Sequence, residues 1–80
     1  MNKCLTFEWD PKKELLEIHG NKEGLENLRN ILDQLINSPG SDHSHLLAKA
    51  WGGNELADEK QSIENTLINQ VKIFKWANSE

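Results

Sequence analysis

Cys4-Leu5-Thr6-Phe7-Glu8-Trp9-Asp10-Pro11-Lys12-Lys13-Glu14-Leu15-Leu16-Glu17-Ile18-His19 is the stretch whose reading decides the fold. From Cys4 to Trp9 the residues alternate, with Leu5, Phe7 and Trp9 on one side and Cys4, Thr6 and Glu8 on the other, the period of a half-buried strand. Asp10 and Pro11 suit the first two positions of a type I turn, because the proline ring presets φ. The segment after the turn sets Leu16 and Ile18 on one face and Leu15, Glu17 and His19 on the other, so it can pair back onto the first strand. A β-hairpin follows, with a polar face that carries Cys4, Thr6 and Glu8.

Downstream, Gly20-Asn21 breaks the strand, and the Asn21 side-chain oxygen is suited to cap a helix. Leu25, Leu28, Ile31, Leu32, Leu35 and Ile36 recur at three- and four-residue steps, with Glu26, Arg29, Asn30 and Asp33 on the far side. Ser38-Pro39-Gly40 ends that amphipathic helix, because Pro39 cannot continue its hydrogen-bond ladder. The next stretch, Asp42 to Trp51, fits a helix by propensity and a strand by alternation. Gly52-Gly53 is a sharp break, and Asn54 to Asn65 reads as a polar loop. From Leu67 to Trp76 the branched and aromatic residues predict a final strand, with Val71 and Ile73 on one face, Phe74 and Trp76 on the other, and cover on both. The order β-β-α-β-β gives an α+β class: a small antiparallel sheet of about four strands packed against one amphipathic helix.

The chain has 80 residues, 36% hydrophobic and 28% charged, which fits one domain spanning residues 1–80 without a deep cavity for a large cofactor. Its longest apolar run, Leu46-Leu47-Ala48, falls far short of a membrane span, and Met1-Asn2-Lys3 leads into no signal-type apolar core. A single cysteine, Cys4, excludes an internal disulfide and a multi-cysteine zinc site, so cytoplasmic residence is expected. The net charge is −4, and each half of the chain carries −2. Lysines come only in scattered pairs such as Lys12-Lys13 and Lys72 with Lys75, so no contiguous basic face is offered to nucleic acid. An acidic surface instead favours encounter with a basic partner.

Few constellations carry chemistry. His43 and His45 stand two apart, and on a strand both would project to one side and could share a metal. A catalytic zinc would still need a third protein ligand, from His19, Asp42 or Glu55. Ser44 would point to the opposite face from both histidines, and Cys4 is remote from all three in sequence, so neither reads as an activated nucleophile. Asp58-Glu59 should stay solvated and ionised, which makes a poor acid/base pair. Gly52-Gly53 lacks the lysine of a phosphate cradle. Of the tryptophans Trp9, Trp51 and Trp76, at least two are expected in the core. Trp51 sits beside the break and next to Glu55, Asp58, Glu59 and Glu64, a large ring rimmed by acid, and this set is the candidate partner-binding surface.

Gly20-Asn21, Gly24-Leu25 and Leu28, followed by Asp42-His43-x-His45-Leu46 and Trp51-Gly52-Gly-x-Glu55-Leu56, together resemble the bacterial polymorphic-toxin immunity proteins of the family numbered thirty-two. The likeness runs from about Leu5 to Trp76, and it rests on the order and spacing of these motifs rather than on any single one. It implies a small cytoplasmic α+β domain, encoded beside a toxin gene, that binds and neutralises the toxin without catalysis, and a strand rather than a helix from His43 to Ala48. Two other readings stay open: a small metal-binding protein or enzyme using His43 and His45, and an accessory domain whose uncovered edge strand pairs with a second copy.

Overall fold

The structure is a computed structural model, and it describes residues 4–77. Strand β1, Leu5–Asp10, and strand β2, Leu15–Gly20, form the expected hairpin, paired from Leu5 with Gly20 to Asp10 with Leu15. Asp10 Oδ1 accepts from Lys12 N at 3.0 Å and Lys13 N at 3.3 Å, so the aspartate itself holds the turn. Helix α1, Lys22–Asn37, begins at Asn21, whose side-chain oxygen accepts from Gly24 N at 2.8 Å and from Cys4 N at 3.0 Å. One side chain thus caps the helix and ties it to the start of β1. Gly24 permits this approach, since a Cβ there would lie 1.8 Å from the Cys4 carbonyl oxygen. The last turn is stopped by Ser38 and capped by a cation that is distant in sequence: Lys75 Nζ donates to the carbonyls of Ile36 and Ser38.

Strand β3, Asp42–Leu47, settles the ambiguous stretch as extended, and a short 3-10 turn, Lys49–Trp51, follows it. The final strand forms in two pieces, β4 at Thr66–Ile68 and β5 at Gln70–Lys75. They serve different sheets. β4 completes the order β2-β1-β4, whereas β5 pairs with β3 in a separate two-stranded ribbon, and all these pairings are antiparallel. Strict alternation would send Ile68, Gln70 and Lys72 to one face. The break at Asn69, whose carbonyl accepts from Ala48 N at 2.8 Å, resets the phase so that Ile68, Val71 and Ile73 all turn inward.

The α+β class holds, with the sheet divided in two. Its core is Leu5, Phe7, Leu46, Ala48 and Leu56, with Leu28 and Ile31 of α1 and Ile68, Val71 and Ile73 packed against it. Three expectations are corrected. The Thr6-Glu8 side of β1 is as buried as the Leu5-Phe7 side, because the segment before β4 folds over it. None of the tryptophans is buried: Trp9, Trp51 and Trp76 are 38%, 55% and 75% exposed. Trp9 shares a sheet face with Leu5 and Phe7 but lies beside Leu16 of β2, which is also exposed, past the end of the packed core. The last strand is covered on one face only, since Phe74 is half-exposed and Lys72 is exposed.

Candidate functional site

Glu8 is the middle of the central strand, and its side chain is fully buried. An ionised carboxylate in such a place must be met by donors. Thr6 Oγ1 donates to Glu8 Oε2 at 2.6 Å and Gln61 N does so at 2.8 Å. Asn65 Nδ2 and Ser62 N donate to Oε1 at 3.0 and 3.2 Å. Burial pushes the carboxyl up, and these four hydrogen bonds outweigh it, leaving the pKa at about 2 against an ordinary 4.5. Beside it on the same face, Asn65 Nδ2 also donates to Glu17 Oε1 at 3.0 Å, and His19 Nε2 lies 2.7 Å from that oxygen. These bonds to His19 and Asn65 lower the Glu17 carboxyl too.

Glu8 therefore fixes a loop. Its partners Gln61, Ser62 and Asn65 are more than fifty residues away in sequence, so one side chain replaces the ladder that an irregular segment lacks. Further back, Ala57 N donates to the Leu5 carbonyl at 2.8 Å, and Lys60 Nζ closes the turn onto the Asn65 carbonyl at 2.7 Å. Between Ser62 and Asn65 stand Ile63, 87% exposed, and Glu64, also exposed. The loop therefore holds a large aliphatic side chain out in solvent at its tip.

The residues singled out in the sequence divide here. Trp51 is exposed at the end of the 3-10 turn, and that turn is tied to the loop through Asp58 Oδ1, which accepts from Ala50 N at 3.2 Å. Asp58 and Glu59 are exposed and line a shallow depression with Lys60, Asn65, Thr66 and Leu67. Glu64 is on the Ile63 tip. Glu55 is turned inward: its Oε1 accepts from Leu47 N at 3.1 Å and Asn54 N at 3.4 Å, which shapes the Gly52-Gly53 break rather than the surface. Sequence reading missed Glu8 and Ile63. Glu8 looked like an ordinary outward strand residue, and Ile63 like a stray apolar residue in a polar segment. The signal available was an isoleucine with no neighbouring apolar period to join.

His43 and His45 do share a face, with ring centroids 5.1 Å apart. Their proposed third partner is not brought to them. His19 is on the other sheet against Glu17, Asp42 is on the opposite face of β3 with its carboxylate on the backbone N–H of His43 at 2.7 Å, and Glu55 holds Leu47 N. Among the described residues no group of three or more His, Cys, Asp or Glu is arranged to hold a metal ion. Ser44 lies on the opposite face of β3, and Cys4 is half-buried, with Gln61 Nε2 3.8 Å from its sulfur.

No curated protein and no solved structure matches the chain. A family model does: the one described as Immunity protein 32 matches residues 16–71. That span takes in β2 from Leu16 onward, the capped helix, the β3 histidines and the whole loop that Glu8 anchors, and it places the chain in the Immunity protein 32 family.

Proposed function

We propose that the chain works in the cytoplasm as one binding module that neutralises a cognate bacterial toxin by occupying it stoichiometrically, and that the contact surface is the loop held by Glu8. Family membership supports the immunity role. The observation that carries the surface is Ile63, whose exposure is 87% although the Ser62 N–H before it and the Asn65 side chain after it both bond the buried Glu8. A loop ordered before encounter loses less entropy on binding than a mobile one, so its anchor contributes more to affinity. Ile63 and Trp51 supply the apolar contacts. Asp58, tied to the Trp51 turn, Glu59 after it and Glu64 next to Ile63 suit a basic toxin surface and speed its approach. Glu55 acts indirectly, by shaping the loop that carries Trp51. No cofactor or reacting group enters this mechanism.

The test is co-expression with the toxin encoded beside the gene, followed by pull-down and a growth assay. Wild-type chain should co-purify with the toxin and protect the cell. Ile63→Asp, which changes no core contact, should weaken the complex by roughly a hundredfold, the scale of a lost hot spot. Glu59→Lys with Glu64→Lys should slow association most at low salt. A toxin that neither binds nor is neutralised would sink the immunity reading. Full protection by the Ile63→Asp chain would sink only the choice of surface.

A further inference from the structure

The β3-β5 ribbon turns a second, chemically different face to solvent. Register places His43 opposite Phe74 and His45 opposite Lys72, with Leu47 and Gln70 at the end of the same face. The rings are in contact: His43 and Phe74 centroids are 5.8 Å apart, and Phe74 stacks on Trp76 at 5.7 Å with an angle of 6° between the planes. Lys72 Nζ sits 4.9 Å from the Phe74 centroid. Phe74 and Trp76 are 50% and 75% exposed, which is unusual for rings that already stack on each other. A shallow groove of about 280 Å³ beside His45, Leu47, Gln70, Val71 and Lys72 continues the strip.

Among the described residues of the ribbon none that projects to this face bears a carboxylate, although the whole chain carries −4; Asp42 belongs to the other face and is engaged by the His43 backbone N–H at 2.7 Å. We infer that the outward face of the β3-β5 ribbon is a second docking surface, and that it takes an extended, carboxylate-bearing segment of a partner protein. The flat Phe74-Trp76 pair offers apolar area, and Lys72 with the two imidazoles offers donors to the carboxylates. Among the described residues β5 pairs with β3 alone, so its other edge can add the segment as a further strand, whose alternate side chains then fall on the strip. A short acidic segment feels mainly this local face. A long polyanion such as nucleic acid would feel the net negative charge of the rest of the molecule, which disfavours it here.

The probe is a fluorescein-labelled octapeptide of alternating Glu and Val, with Lys in place of Glu as its control, read by fluorescence anisotropy. The Glu peptide should bind, the Lys peptide should not, and added salt should weaken the complex. Lys72→Glu and Phe74→Ser should each weaken binding by roughly tenfold. Circular dichroism checks the fold, and if Phe74→Ser unfolds the chain, the exposed Lys72→Glu decides alone. Equal binding of the two peptides, or indifference to Lys72→Glu, would overturn the inference. So would tighter binding of a short oligothymidylate than of the Glu peptide, or a dimer in light scattering that Lys72→Glu dissolves, because each assigns the face to a different occupant.

Discussion

The two sheets solve the same problem in opposite ways. In the β3-β5 ribbon Leu46, Val71 and Ile73 pack inward while His43, His45, Lys72 and Phe74 meet water, as alternation leads one to expect. In the β2-β1-β4 sheet the charged side of β1 is buried at Glu8, while Leu16 and Ile18 of β2, on the apolar side, are about half exposed. Alternation says which residues share a face. It does not say which face will be covered, because cover comes from whatever other segment has matching groups to offer. Here the matching groups are the backbone N–H groups of Gln61 and Ser62 and the amide of Asn65.

If that contrast is right, the largest effect follows from removing the charge that is inside. Glu8→Ala leaves the Gln61 and Ser62 N–H groups and the buried Thr6 hydroxyl without their acceptor, leaves Asn65 only its bond to Glu17, and frees the loop, so it should cost about 3 kcal/mol. For a domain of this size that corresponds to a fall in Tm of roughly 15 °C. Denaturant melts measure it directly, and a cost below about 1 kcal/mol would mean that the loop is held by something other than Glu8. Hydrogen exchange at Gln61 and Ser62 should speed up well beyond that at Leu46, which is in the other sheet.

Acid sharpens the same contrast without changing a residue. Glu8 titrates at about 2 in the folded chain against an ordinary 4.5, so on acidification the unfolded chain takes up the proton first. The stabilisation is complete above about pH 4.5 and is lost as the pH falls toward about 2. Glu17 and Asp42 are also lowered and add to acid sensitivity in the same direction. The measurement is therefore the stability of wild type minus that of Glu8→Gln, followed with pH. That difference should shrink on acidification by about 1–3 kcal/mol, after allowance for solvent at the rim of so small a core. A difference that stays constant would show that the Glu8 charge contributes nothing.

These cases also separate what was legible in the sequence from what was not. The hairpin with its Asp10-Pro11 turn, the Asn21 cap and the Leu28-Ile31-Leu35 stripe are local patterns, and local patterns are written in neighbouring residues. Lys75 on the helix carbonyls, Glu8 under the loop and the turn inward of Glu55 each depend on a partner that only folding brings near. The candidate site was half visible for the same reason. Trp51, Asp58, Glu59 and Glu64 could be picked by residue type, whereas the outward placement of Ile63 depends on the bonds that Ser62 N and the Asn65 amide, on either side of it, make to the distant Glu8. The tryptophans misled because ring size predicts burial only when the core is large enough to take the ring, and here five side chains make up its centre.

The smallest effect belongs to the ribbon's outer face, and its smallness is informative. Phe74→Ser removes a half-exposed ring whose contacts are with His43, Trp76 and Lys72, all of them on the solvent side. Stacking and cation–π contacts at such a place contribute at most about 1 kcal/mol, because water already competes for every group. Stability should therefore fall by less than that, with little change in the melt of the β1 sheet. Trp76 fluorescence should shift to the red as the ring loses its stacking partner. A loss of several kcal/mol would mean that Phe74 supports the core and that the two sheets differ less than their exposure indicates. A small loss leaves the aromatic strip without a folding role, and a chain that keeps Phe74 and Trp76 in water without that role has them available for contact with another molecule.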